Sequence, residues 1–536
     1  MAAANSSSTT PSLKKSLSIA TAIMVGSVFL SRITGLLREM VLAQHGGTSY
    51  EMDAYVRSFL IPEILNHFLA GGFLSITFIP IFQKYLVKGD RRGAWKTFSN
   101  LLTTGSLLFV IFIPLAMIFT PSLLSFLNSD TVDPQTTALT IRLTRIILPA
   151  QLFFYWGAFL MAVQYANHHY FLPALSPLFY NVGIIAGGYF LRPYLGIEGF
   201  AWGVLIGAFL GNVAIQFPGA LRTGLKYTFT IKVNDPEFIN YVKKTLPLVL
   251  GLGMAFSNEI FFRFFSVFLD EGAASSVNYA LRTMMFVVAL FGQASGVAFY
   301  PYLSTMAAEK AYDKMSSLLN NMLTGMALYL IPLSALMIIL SPEIITILFE
   351  RGNFTAESTT LVAPVLSIYL LGAFAYSASF IISRSFYALQ NTILPMVVNT
   401  VIALLSIPLY LLLSTRLGAE GIAFAAVAAM IVNFGILYLL WCRSFGGYTV
   451  LKDGLGKLVR IFPATLTASA LCFYLRIHII GLLPQSTPFI RSIVVGTTAS
   501  LPSLGVVFIL YELMGLQTLR RSITGLLRTK RSPQVP

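Results

Sequence analysis

Apolar runs long enough to cross a bilayer follow one another along almost the whole chain, separated by short polar connections. A hydrocarbon layer about 30 Å thick takes about 20 apolar residues as a helix. Only 11% of the residues are charged while 56% are hydrophobic, against roughly 25% charge in a soluble domain, so too little polar surface exists to wet a globule. A soluble enzyme, a disordered scaffold, a collagen-like fibre and a disulfide-stapled secreted domain are excluded. An outer-membrane barrel is excluded too, because its strands alternate over segments of about ten residues. The chain reads as an all-α polytopic membrane protein.

Fourteen transmembrane helices are predicted, near 17–44, 53–83, 95–120, 137–166, 170–191, 198–221, 237–268, 273–307, 315–341, 359–388, 392–415, 419–442, 458–480 and 490–515. The first exceeds the apolar core of about 7 to 15 residues found in a cleaved signal, so it is expected to be retained. Lysine and arginine concentrate in cytoplasmic segments. With the N-terminus inside, inner segments hold 23 of the 36 basic residues and outer segments five, so both termini are expected in the cytoplasm. The net charge of +15 reports that topology and suits an anionic inner leaflet; no nucleic-acid partner is expected.

Residues about 221 positions apart repeat. Gly71 and Pro80 match Gly292 and Pro301, Pro121 matches Pro342, and LGIEGFA at 195–201 matches LGAEGIA at 417–423. Six spans lie between copies, an even number, which implies two parallel six-helix lobes related by an axis along the membrane normal. The expected organisation is a cytoplasmic segment 1–16, an N-lobe 17–221, a cytoplasmic linker 222–236, a C-lobe 237–442, two extra helices within 443–515 and a basic tail 516–536. The two extra helices form either a groove for a long lipid tail or a surface packed by lipid.

Eight arginines remain inside the predicted spans: Arg32, Arg38, Arg57, Arg142, Arg145, Arg263, Arg282 and Arg384. Each costs about 2.5 to 3.5 kcal/mol at a helix centre unless it meets water or a partner. Snorkelling accounts equally well for Arg57, Arg142, Arg145, Arg263 and Arg384, which lie nearer span ends. Arg32 and Arg282 sit near mid-span and Arg38 is intermediate. The span carboxylates Glu39, Glu63, Glu259 and Glu512 are too few to neutralise them all, so a net-positive central cavity between the lobes is expected. A guanidinium fork binds phosphate bidentately and keeps its proton, which points to a phosphate or diphosphate. Gly35 is a candidate bend between Arg32 and Arg38, and Pro62 with Gly71 and Gly72 marks the second span as a candidate broken helix. Asn258 and Glu259 are a candidate site for a coupling ion, with a pair between Glu259 and Arg263 the favoured alternative. Cys442, Cys472 and the five histidines show no ligand spacing, so neither metal nor disulfide is expected.

These residues resemble the MurJ/MviN lipid II flippases of the multidrug/oligosaccharidyl-lipid/polysaccharide exporter superfamily. Ser31-Arg32-Ile33-Thr34-Gly35-Leu36-Leu37-Arg38-Glu39 is similar to the family's S-R-x-x-G-x-x-R-[DE] signature, and Asp53-Ala54, Pro62, Gly72, Phe78, Pro80 and Tyr279-Ala280-x-Arg282 follow its later pattern. The resemblance implies a protein without catalytic residues that moves undecaprenyl-diphosphate-linked disaccharide-pentapeptide, lipid II, to the outer face of the bacterial plasma (inner) membrane. It implies diphosphate binding by Arg32, Arg38 and Arg282 and a functionally important acidic residue at Asp53. Asn66, His67 and Gly71 depart from the family pattern, so no role is carried to them. No cofactor is expected; the membrane potential or Na⁺/H⁺ coupling would drive the cycle. The expected partners are lipid II and membrane lipids, for a monomer in contact with cell-wall synthesis machinery. A cation-coupled exporter of drugs or other lipid-linked oligosaccharides is the alternative, though its cavity should carry acids; a passive anion channel would reveal itself by current.

Overall fold

The computed structural model describes residues 10–69, 73–127, 133–252, 257–445, 447–483 and 487–515. Among them every regular element is a helix. Two compact units divide the chain, Met1–Ser275 and Ser276–Pro536.

The first unit contains α1 (Thr10–Gly46), α2 (Tyr50–Arg57), α3 (Leu60–Leu69), α4 (Phe73–Val87), α5 (Arg91–Leu127), α6 (Pro134–Ile147), α7 (Ala150–Ala166), α8 (Phe171–Ala186), α9 (Arg192–Leu195), α10 (Glu198–Phe209), α11 (Gln216–Arg222), α12 (Pro236–Leu252) and α13 (Ser257–Ser266). Its core is aromatic: Phe78, Phe82, Trp95, Phe98 and Phe159 are buried together, with the Phe78 and Phe159 rings edge to face at 5.0 Å, a geometry that suits the ring quadrupoles. Helices α8 and α10 touch backbone to backbone. A methyl group on Gly183 would lie 2.4 Å from the Gly207 Cα, so only glycine permits this approach. Helices α12 and α13 pack on α2, α3, α4 and α5.

The chain continues through α14 (Ala273–Val288), α15 (Ala294–Ala308), α16 (Tyr312–Ile339), α17 (Ser341–Phe349), α18 (Ala356–Ala388), α19 (Ile393–Phe445), α20 (Gly447–Val459), α21 (Phe462–Leu482) and α22 (Pro488–Leu513). Here the core gathers Met315, Leu319, Phe386, Leu437 and Trp441. Helices α21 and α22 pack on each other and on α16 and α17, and Arg476 donates to Glu343 at 2.8 Å.

Among the described residues, nine helical stretches are long and apolar enough to cross a membrane. One of them, α19, is 53 residues long and bends at Gly418, where φ is 58° and ψ is −131°. Its counterpart in the first unit, Gly196, has φ 59° and ψ −142°. Both belong to the repeated LG-x-EG stretch, and that backbone region is essentially closed to residues with a Cβ. The sequence repeat is thus also a repeat in backbone geometry.

Candidate functional site

Helix α1 carries the SRITGLLRE stretch without interruption and packs along α8. Arg32 is exposed. Arg38 keeps 17% of its side chain exposed, and its fork is engaged on both sides. Nη2 donates to the buried Glu39 carboxylate, while Nη1 donates to Asn181 Oδ1 at 3.1 Å. Asn181 is itself oriented, because its amide nitrogen donates to Ser31 O at 3.3 Å and Thr34 Oγ1 at 3.2 Å. With both donors used on α1, its carbonyl oxygen is left to face the guanidinium. Gly35 lies against the same amide, 3.7 Å from where a Cβ would sit, within the continuous helix α1.

Asp53 on α2 is buried, and its two oxygens accept from the backbone N–H of Gly272 and of Ser275, each at 2.8 Å. These donors open the first turn of α14, so Asp53 acts as an N-cap supplied from another helix, with its charge favourably placed against that helix end. Arg57, one turn on, does not snorkel. It is 4% exposed, stands 3.8 Å from Asp53 and donates to the Ser266 and Leu269 carbonyls at 2.8 and 3.1 Å. Tyr50 N–H adds a bond to Glu271 at 2.7 Å. Together these contacts clamp α2 to residues 266–275.

Arg263 is buried beneath the Phe59 and Phe262 rings, 5.8 and 4.9 Å from their centroids. It pairs with Glu63 of α3 and stands 3.9 Å from Glu259 on its own helix. The expected pair with Glu259 is present, but Glu63 is the closer partner. Pro62 occupies the first turn of α3 and is buried. Asn66 is half-buried and His67 buried on the same helix. Gly71, Gly72 and the Asn258 side chain lie outside the described residues.

The other span arginines divide. Exposed Arg142 pairs with Glu198 at 2.8 Å, Arg145 donates to Met117 O at 3.0 Å, and Arg384 lies 5.9 Å from the Tyr300 ring. In the second unit Arg282 is half-buried on α14. Among the described residues no group of three His, Cys, Asp or Glu could hold a metal ion. Sequence reasoning assigned Asn181 no role. The available signal was an amide in an otherwise apolar span, where an unmatched polar group is costly.

The sequence model of the family described as lipid II flippase MurJ matches residues 42–489. The chain belongs to the lipid II flippase MurJ family. Asp53 and Arg282 lie inside the matched stretch, whereas Arg32 and Arg38 precede it. A lipid II flippase MurJ from Thermosipho africanus is 29% identical over 444 residues, covering 82% of this chain and 89% of that one. A probable lipid II flippase MurJ from Thermotoga maritima is 30% identical over 437 residues, covering 81% and 86%. Among solved structures, a lipid II flippase MurJ in an inward closed conformation superposes with a TM-score of 0.75 at 25% identity, over 92% of this chain and 99% of that one. An inward-facing multidrug transporter of the MATE family shares the fold, with a TM-score of 0.65 at 14% identity over 79% and 96%.

Proposed function

We propose that this protein is a lipid II flippase, carrying undecaprenyl-diphosphate-linked disaccharide-pentapeptide from the inner to the outer leaflet of the bacterial plasma membrane. The observation that carries this reading is the family match across residues 42–489. In the proposed cycle fourteen spans form two six-helix lobes around a cavity, with both termini cytoplasmic and α21 and α22 beside the lipid tail. Arg32, Arg38 and Arg282 receive the diphosphate, and rocking of the lobes exposes the head group outside. No bond is made or broken. The site needs neither metal nor cofactor, and the chain works as a monomer beside the cell-wall synthesis machinery.

The geometry of Arg38 supports a switchable anion site. Its fork is held ready by Asn181 and by Glu39, so an arriving diphosphate exchanges a neighbouring carboxylate for a bidentate phosphate rather than ordering a free side chain. An inside-negative potential contributes about 2.3 kcal/mol per charge per 100 mV and favours outward passage of an anion. Depleting the protein in cells exposed to a probe that modifies the lipid-linked precursor only from outside tests the proposal. Outside labelling should fall as precursor accumulates inside; undiminished labelling, in cells with no second flippase, contradicts it.

A further inference from the structure

A slot of about 450 Å³ opens where α6 packs between α5 and α10. Its lining combines the apolar side chains of Met117, Ile141 and Leu205 and the Trp202 ring with two arginines, Arg142 and Arg145. Three residues apart, the arginines share one face of α6, and each is anchored through a single nitrogen. Pro121, inside α5, has no N–H for the carbonyl of Met117 four residues earlier. Arg145 Nε donates to that carbonyl at 3.0 Å. Arg142 Nη1 donates at 2.8 Å to Glu198, in the first turn of α10. The other nitrogens of both forks make no hydrogen bond among the described residues. The proline gap in α5 thus fixes the plane of one guanidinium, a carboxylate fixes the other, and both keep donors for a ligand.

Depth places these forks near lipid head groups. Helices α6 and α7 form one span of 33 residues, about 50 Å long across hydrocarbon about 30 Å thick. Centred, it extends about 10 Å beyond each face, which sets Arg142 and Arg145 about 2 and 7 Å inside the apolar boundary. From the slot a track leads on along α10, where Trp202, Ile206 and Phe209, four and three residues apart, are exposed on one face. Two adjacent forks beside an apolar track match a lipid whose head carries two linked phosphates, whereas a phosphodiester fills only one fork. We propose that this slot is a docking site for an isoprenyl diphosphate in the outer leaflet, one phosphate on Arg142, the other on Arg145 and the tail along α10. Both the ligand and the side of the membrane rest on the flippase reading; the site would hold the lipid after it has left the arginines of α1 and α14. The volume falls within the range of about 300 to 1,000 Å³ typical of ligand pockets.

The test is photolabelling of the full chain in detergent with undecaprenyl diphosphate carrying a photoreactive group on its first isoprene unit, the labelled peptides being identified by mass spectrometry. Labelling should appear within residues 114–121 or 198–209, and separately on α1. Arg142→Gln/Arg145→Gln should lower the slot labelling about tenfold and leave α1 labelling unchanged. Arg145→Lys keeps a donor for the Met117 carbonyl but loses the fork, so it should also lower slot labelling, with the thermal unfolding midpoint unaltered. Arg38→Ala should do the reverse, reducing labelling on α1 alone. Slot labelling without any on α1 would uphold the docking site and count against the flippase reading. Slot labelling that survives the double variant, equal slot labelling by a phosphatidylglycerol bearing the same photoreactive group, or labelling confined to α1 overturns the proposal.

Discussion

Residues 50–87 and residues 273–308 are the two copies of one repeated segment, and they fold differently. Among the described residues the first copy contains α2, α3 and α4, with a break at Ser58 and Phe59 between α2 and α3; the second is α14 and α15 joined through a π-helical turn at Ala289–Gln293. At the 221-residue offset Pro80 faces Pro301, but Pro62 faces Thr283. A proline has no N–H for the carbonyl four residues earlier. For Pro62 that carbonyl belongs to Ser58, and it accepts instead from Thr144 Oγ1 at 3.2 Å. In the second copy Thr283 remains helical, and its hydroxyl donates to the corresponding Tyr279 carbonyl at 2.8 Å. The helix therefore breaks at Ser58 and Phe59, just before the proline, and a neighbouring helix repairs the backbone. The charges differ as well: Asp53, Arg57 and Glu63 in the first copy stand where the second has Ala274, Asn278 and Met284, while Arg282 stands opposite Ile61. Duplication supplied the scaffold, and these exchanges gave each copy its own polar contacts.

Giving the first copy the residues of the second tests this contrast. Glu63→Met should have the largest effect, because it leaves the buried Arg263 with only the more distant Glu259; breaking a buried pair costs about 3 kcal/mol or more, read as a fall in the thermal unfolding midpoint of the purified protein. Asp53→Ala should cost about 2 kcal/mol, since two buried N–H groups lose a charged acceptor. Asp53→Asn, which keeps one acceptor oxygen, should lose less in the same measurement. Thr144→Val should cost about 1 kcal/mol by orphaning the Ser58 carbonyl, and less when combined with Pro62→Thr, which restores an N–H to that carbonyl. Additive effects of the two substitutions would mean that Pro62 is not what opens the helix at Ser58.

The helical class was legible because membrane spans must satisfy their own backbone, so length and hydropathy alone exclude strands. The repeat was legible in glycines and prolines, whose backbone demands leave few substitutes, as Gly196 and Gly418 illustrate. The break in the second span was legible from Pro62, but its position was not: proline fits a first helical turn, so α3 starts before it. Burial of Arg57 could not be read, because its acceptors are backbone carbonyls of a distant segment. The Glu63 partner of Arg263 was equally hidden, since it lies 200 residues away and nothing local distinguishes it from Glu259. Asn181 shows the same limit, being oriented entirely by residues of another helix.

The role proposed for the guanidinium groups on α1 and α14 is to receive the diphosphate of a lipid-linked precursor. It is tested most directly by outside-only labelling of that precursor in cells whose sole flippase is this protein, comparing Arg38→Lys and Arg282→Ala with the unaltered chain at equal membrane abundance. Lysine keeps the charge but not the planar fork, so Arg38→Lys should reduce labelling about tenfold, equivalent to about 1.4 kcal/mol, and Arg282→Ala should abolish it. Labelling at the unaltered level in both variants would rule that role out.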